Sequence, residues 1–262
     1  MKHISQLLGG NRNPPQEVHQ CLVHGDYVSV HWRPQDPDRW TPCMACVRDE
    51  ERQRHYEEGQ RNTENTRVQL RQRLEDAGIP ERFRELTFKT YQASHPGQIN
   101  ALRECREYAE NWTKTRQAGK CMLLVGGPGT GKTHLAVAIC YHVLSLNKSV
   151  HYTSVAKAMR RIKESWSSES GEVESQVIEA YVSPDLLVLD EVGVQFGSNT
   201  EKDLLFSLVN DRYNEGKPTL LISNLELEKV REYLGDRILD RLRDSGGKAV
   251  KFDWVSFRKG RV

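Results

Sequence analysis

The residues most able to do chemistry are Gly126-Gly127-Pro128-Gly129-Thr130-Gly131-Lys132-Thr133, which fit the spacing G-x-x-x-x-G-K-[ST]. Glycines at these positions let successive backbone N–H groups turn inward and bind phosphate without Cβ clashes. Lys132 is placed to reach the β- and γ-phosphates, and Thr133 offers a hydroxyl to magnesium. His134 follows directly and is counted with the nucleotide contacts. A second acidic element is Leu186-Leu187-Val188-Leu189-Asp190-Glu191. In a parallel sheet, ligands bind at the carboxyl ends of strands, so Asp190 can hold magnesium and Glu191 can polarise an attacking water. Leu220-Leu221-Ile222-Ser223-Asn224 repeats the pattern of an apolar run with a polar end, and Asn224 is placed to orient that water. The expected cofactors of this half are ATP and Mg2+.

A separate constellation lies near the N-terminus. Cys21-x-x-His24 and Cys43-x-x-Cys46 are two close pairs separated by 18 residues. Four N/S ligands at this spacing suit a tetrahedral Zn2+ site with no open position, which makes it structural rather than catalytic. His19, His31 and His55 are alternative ligands with poorer spacing, and free thiols are the plainer alternative. A stretch this short has too little core to fold alone, and metal would supply the missing stability. Cys105, Cys121 and Cys140 sit among apolar residues and read as small buried side chains.

The elements that must position these groups follow from periodicity. A short apolar strand at Cys121–Val125 leads into the glycine-rich turn, and a helix runs from it to Leu146. Strands are expected at Ser149–Thr153, Leu186–Leu189, Thr219–Ser223 and Ala249–Trp254, with helices at Asn100–Trp112, Val155–Ser165, Glu174–Tyr181, Glu201–Glu215 and Leu227–Arg243. Alternation of this kind implies a mostly parallel sheet sandwiched by helices. Tyr27–Trp32 is expected as a strand between the two metal-binding pairs. The whole reads as α/β, with residues 1–46 a zinc-ribbon-like module, 47–78 a charged helical linker and 79–262 the nucleotide-binding domain.

Composition excludes some classes. The 262 residues are 28% charged and carry a net charge of +2, so the chain is not a strongly basic coat for nucleic acid. No apolar run approaches the roughly 20 residues that span a bilayer, and no signal-peptide stretch opens the chain, so no membrane is involved and a cytoplasmic location is expected.

A P-loop, a strand ending in Asp190-Glu191, a strand ending in Asn224 and an arginine-bearing helix together resemble an AAA+ ATPase core. More narrowly, residues 79–258 resemble the DnaC-like helicase loader family, which includes the transposition ATPase IstB. The stretches that carry this are Ile79-Pro80-Glu81-Arg82-Phe83, Thr87-Phe88-Lys89-Thr90-Tyr91, Gly97-Gln98-Ile99-Asn100-Ala101-Leu102, Asp190-Glu191-Val192-Gly193-Val194-Gln195, Leu234-Gly235-Asp236-Arg237-Ile238-Leu239-Asp240-Arg241-Leu242 and Phe252-Asp253-Trp254-Val255-Ser256-Phe257-Arg258. The resemblance implies a homo-oligomer, an open spiral hexamer with ATP between neighbours and no separate helical lid domain. It implies Arg241 as an arginine finger, Arg237 as its assistant and Arg258 as a second sensor arginine. It stops before residue 79, and the first 46 residues do not resemble the DnaC helicase-binding domain.

The implied function is ATP-dependent loading of a hexameric DnaB-type replicative helicase onto single-stranded DNA. Lys157, Arg160, Arg161 and Lys163, with Trp166 close by, would supply the basic and aromatic contacts that suit a single strand. A solvated helix face is the plainer reading of the same residues. The rival function is an IstB-type transposition accessory ATPase acting on duplex DNA.

Overall fold

The computed structural model describes residues 14–31, 40–167, 171–193 and 199–257. The chain divides into two compact units, residues 1–67 and 68–262.

In the first unit, strands β1 (Gln16–Cys21) and β2 (Gly25–Val30) form an antiparallel hairpin, with Val18 opposite Val28 and Cys21 opposite Gly25. The two-residue tip between Cys21 and His24 is Leu22-Val23. An isolated bridge pairs His31 with Trp40. Trp32, the end of the strand expected from sequence, lies outside the described residues. Helix α1 (Met44–Asp76) starts inside the second Cys pair and continues for 33 residues. Charged and amide side chains dominate it, and Leu74 is its buried residue, so most of its length is solvated.

The second unit is a five-stranded sheet. Helices α2 (Pro96–Glu110) and α3 (Trp112–Gln117) precede β3 (Met122–Gly126), and α4 (Lys132–Ser145) follows it. Then come β4 (Val150–Ser154), α5 (Val155–Glu164), α6 (Glu174–Val182), β5 (Leu186–Asp190), α7 (Asn199–Asn214), β6 (Thr219–Ser223), α8 (Leu227–Asp244) and β7 (Lys248–Phe252). The strand order is β4-β5-β6-β3-β7, and every pairing is parallel.

Side chains alternate across a strand with a period of two, so each apolar strand feeds two cores. Leu124, Val188 and Ile222 pack with α2, α4, Leu74 at the end of α1, and Ala77 and Ile79 just after it. Leu123, Leu189 and Leu221 pack with α5, α6, α7 and α8. Cys105 and Cys140 fall in the first core and Cys121 in the second. Arg212 of α7 is fully buried at the far ends of the strands. Its guanidinium donates to the carbonyls of Tyr181, Val182, Pro184 and Pro218 and to Thr219 Oγ1, which ties the entries of β5 and β6 together.

Helix α8 is not continuous. Its backbone leaves helical geometry at Gly235 (φ 71°, ψ 167°), so Arg237 and Arg241 belong to a second segment with its own axis. The hydrophobic pattern runs through the kink without interruption, with Leu234 and Ile238 both buried, which is why it reads as one helix.

Candidate functional site

The central three strands, β5, β6 and β3, are neighbours, so their carboxyl ends bring together groups far apart in sequence. A cavity of 1090 Å³ opens there, and Pro128, Gly129, Gly131, Lys132, Thr133, His134, Asp190, Glu191 and Asn224 all line it. That volume suits a nucleotide-sized ligand.

The P-loop wraps the start of α4. Gly131 has φ 100°, and a Cβ there would lie 2.8 Å from the Tyr91 ring, so only glycine lets the loop pass under that side chain. Lys132 Nζ donates to the carbonyls of Gly126 (2.6 Å) and Gly127 (2.7 Å), which holds the ammonium over the loop at the helix N-terminus. Thr130 Oγ1 donates to Gly127 O, and Thr130 and Gly127 shape the loop from outside the cavity wall. His134 Nε2–H donates to Thr87 O (3.0 Å), and burial lowers its pKa, so the ring is a neutral brace.

Asp190 ends β5. Its Oδ1 accepts from the Glu191 amide (2.7 Å), and its Oδ2 accepts from the Tyr152 hydroxyl. Burial and the adjacent Asp190 charge raise the Tyr152 pKa, so the phenol remains a donor. Glu191 has φ 62°, a left-handed conformation rare for a residue with a side chain and worth roughly 1–2 kcal/mol of strain. The next residue holds it there: Val192 N–H donates to Ile222 O, and Val192 O accepts from Ser223 Oγ. Strain imposed at the end of a buried strand re-aims the carboxylate away from the strand path and toward the cavity.

The residue types fit magnesium. A carboxylate on β5 and a hydroxyl on the first turn of α4 are hard oxygen donors of the kind Mg2+ takes alongside nucleotide phosphates. Both Asp190 and Thr133 line the cavity.

The arginines lie elsewhere. The Arg237 guanidinium sits over the Phe206 ring at 5.8 Å and Arg241 over the Tyr213 ring at 4.7 Å, and neither lines the cavity. Arg258 lies outside the described residues. On α5, Val155, Ala158, Met159 and Ile162 are buried, which turns the basic residues outward. Arg161 pairs with Glu172 (2.6 Å), Lys163 pairs with Glu201 (2.7 Å) and Lys157 lines the nucleotide cavity. Arg160 and Trp166 are exposed.

In the first unit, the ligand atoms of Cys21, His24, Cys43 and Cys46 all lie within 4.8 Å of one another. Cys21 Sγ is 3.4 Å from Cys46 Sγ, and His24 Nδ1 is 3.3 Å from Cys46 Sγ, 3.7 Å from Cys21 Sγ and 3.8 Å from Cys43 Sγ. A zinc tetrahedron with Zn–S near 2.3 Å has edges of about 3.5–3.8 Å, so the donors fit the ion. Amide N–H groups of Val23 and His24 lower the Cys21 thiol to about 6, while its hydrogen bond with Cys21 pushes Cys46 up to about 12. Thiolates this close repel unless a cation lies between them. His24 Nε2–H donates to Asp49 Oδ2 (3.0 Å), which fixes the tautomer and points the Nδ1 lone pair at the sulfurs.

Several contacts in these sites are not motif residues. Asp49 carries only a weak signal, an acid three positions after Cys46. Tyr152 carries none. Tyr91 and Trp254 lie in stretches singled out for their family resemblance, with no role implied for either.

A P-loop after one central strand, an acidic pair after the next but one and a polar sensor between them define an AAA+ ATPase. Residues 50–259 match the family described as IstB-like ATP binding protein. The chain is 34% identical to the replicative helicase loader DnaC of Escherichia coli K12, over 74% of this chain and 78% of that protein. It is 32% identical to DnaC of Buchnera aphidicola subsp. Schizaphis graminum, over 75% and 78% respectively. Its fold is similar to the crystal structure of the DnaC helicase loader, with TM-score 0.59 at 22% identity over 66% of this chain and 99% of that one. It is also similar to the replication initiator DnaA bound to AMPPCP and single-stranded DNA, with TM-score 0.56 at 24% identity over 65% and 50%. This chain belongs to the DnaC/IstB family of AAA+ ATPases. Among the described residues, no helix is long and apolar enough to cross a membrane.

Proposed function

We propose that this protein is a cytoplasmic replicative helicase loader, which uses ATP to place a hexameric DnaB-type helicase on single-stranded DNA. The observation that carries this reading is the 34% identity to DnaC across 78% of that protein's length. Magnesium is held by Thr133 and Asp190, with Lys132 on the phosphates. Glu191 polarises the attacking water and Asn224 orients it. Arg241, assisted by Arg237, acts on the neighbouring subunit's nucleotide in an open spiral hexamer, where a cation stabilises charge building on the transferring phosphoryl group. Arg258 is a second sensor. Exposed Arg160 and Trp166 on and after α5 support single-strand contact.

We assign helicase docking to the first unit, which holds zinc through Cys21, His24, Cys43 and Cys46. The test is retention of the replicative helicase of the encoding organism by the full chain, compared with a chain lacking residues 1–67. Retention by the full chain alone supports both assignments. Equal retention by the shortened chain places docking in the ATPase unit. The match to the IstB-like family supports a second reading, an accessory ATPase of transposition on duplex DNA. Capture of a transposase with no retention of helicase selects that reading.

A further inference from the structure

Tyr152 lies on β4, the edge strand of the sheet, beside β5. In the parallel register, Tyr152 is opposite Val188, and Ser154 is opposite Asp190. Residues two apart on a strand share a face, so Tyr152 and Asp190 project from the same side, one diagonal step apart. An aromatic side chain spans that step. Tyr152 is 7% exposed, and its hydroxyl donates to Asp190 Oδ2 inside the cavity wall.

The other carboxylate oxygen, Oδ1, accepts from the Glu191 amide. Asp190 is therefore held at both oxygens, and its orientation about the Cβ–Cγ bond is fixed. An ionised carboxylate has about four acceptor sites, so one bond at each oxygen leaves lone pairs for a cation. With Tyr152 removed as donor, only the Oδ1 bond would remain, and the carboxylate could swing about it.

The tyrosine is itself fixed from the other side. Its amide donates to Ala77 O (2.7 Å), on the segment that follows α1. Gly78 presses directly on its carbonyl, since a Cβ at Gly78 would lie 2.6 Å from Tyr152 O. Gly78 and Pro80 line the same cavity. The backbone of Tyr152 is thus clamped between β5 and the lead-in segment, and its phenol has a fixed origin from which to reach Asp190.

We infer that Tyr152 is a positioning residue for the magnesium carboxylate, orienting Asp190 toward the cation that accompanies ATP. The inference rests on the reading of Asp190 as a magnesium ligand. Tyr152 is not itself a ligand in this reading; it acts on the cation only through Asp190, to which its hydroxyl donates. The chemistry is that of an outer-shell partner, whose loss commonly lowers metal affinity by about tenfold or more.

The test is binding of a fluorescent N-methylanthraniloyl ATP to the full chain, first in EDTA and then across a Mg2+ titration. Wild type is compared with Tyr152→Phe, which removes one oxygen and keeps the ring, and with Tyr152→Leu, which removes the ring as well. In EDTA, Tyr152→Phe should bind within about twofold of wild type, since nucleotide contacts without metal do not involve the phenol. In the titration its Mg2+ midpoint should rise by about tenfold, and excess Mg2+ should restore full affinity. Tyr152→Leu should show the same midpoint shift with a lower melting temperature, which separates orientation from packing. An unchanged midpoint for Tyr152→Phe overturns the inference. So does an equal loss of affinity in EDTA and in Mg2+, because that pattern belongs to a wall residue and not to a metal-orienting one. Wild type that gains no affinity from Mg2+ overturns the metal reading of Asp190, and the inference falls with it.

Discussion

Trp254 Nε1–H donates to the carbonyl of Thr130 across 2.9 Å, so a residue just beyond the last strand holds the middle of the P-loop. Phe257 repeats the contact three residues later, its amide donating to Gly129 O at 2.9 Å. The loop is fixed from the sequence-distant side as well as by α4. Backbone N–H groups aimed at phosphate are useful only if the carbonyls between them stay turned away. These two bonds engage two of those carbonyls, those of Thr130 and Gly129.

Replacing Trp254 with Phe keeps an aromatic side chain, though a smaller one, and removes the donor. It should cost about 1 kcal/mol of stability and several-fold in nucleotide affinity, because Thr130 O loses its partner and the loop loosens. Thermal melting and fluorescent-nucleotide titration of the same preparation check both. Unchanged nucleotide affinity in a folded variant would separate the bond from loop ordering.

Lys132→Ala should abolish nucleotide binding, since the phosphates lose their main cation. Glu191→Gln should bind ATP as wild type does and lose hydrolysis by about a hundredfold or more, because the group that polarises water is gone. Phosphate release under saturating ATP distinguishes them. Hydrolysis at the wild-type rate by Glu191→Gln would assign the base elsewhere.

The residues that meet at the cavity were legible because their motifs are local. The run Leu186–Asp190 announces a strand buried on both faces and ending in acid, and the P-loop announces its own turn and helix. Their convergence required only the rule that ligands bind at the carboxyl ends of parallel strands. The supporting contacts were not legible for the opposite reason. Tyr152 and Asp190 are 38 positions apart, and Trp254 and Thr130 are 124 apart. No periodicity within either segment encodes such a pairing. It arises from the order in which β4, β5, β3 and β7 lie in the sheet. The hairpin strand β1 was hidden differently, because Val18 and Val28 both face solvent and leave no buried stripe to read. The left-handed backbone at Glu191 was hidden too, since nothing in the residue type announces it.

Arg241 rests on Tyr213 in a single chain, away from that chain's own cavity. On the proposal that Arg241 acts on the neighbouring subunit's nucleotide, Arg241→Ala should leave ATP binding by an isolated subunit unchanged and lower hydrolysis. Mixing it with Glu191→Gln gives a sharper measurement. Each variant spoils a different half of a shared site, so some mixed interfaces carry an intact pair and part of the activity should return. Co-assembly verified by light scattering, with no rescue at any ratio, would argue that the arginine acts within its own chain or not at all.

Zinc is expected at one ion per chain, and Asp49 makes the sharpest handle on it. Asp49 reaches the ligand set only through His24, accepting from Nε2 while Nδ1 faces the three sulfurs. Asp49→Asn keeps the size and an acceptor oxygen but removes the charge that raises the basicity of the ring. Loss of such a partner lowers metal affinity by about tenfold or more, so competition with a chromogenic chelator should release zinc from this variant at lower chelator concentration than from wild type. Cys43→Ser, which removes the buried ligand, should release it altogether. Binding requires deprotonated thiols and a neutral His24, whose pKa is raised by its bond to Cys21, so affinity should fall as the solution is acidified. Metal loss should disorder the hairpin, because a two-stranded ribbon with its valines in water has no core of its own. The ATPase unit, residues 68–262, contains both apolar cores and should keep its melting transition and its nucleotide affinity after chelation. Freshly purified protein containing well under one equivalent of zinc, never having met a chelator, would rule out the site. A melting transition of the ATPase unit that moves with zinc content would instead mean that the metal also stabilises residues 68–262.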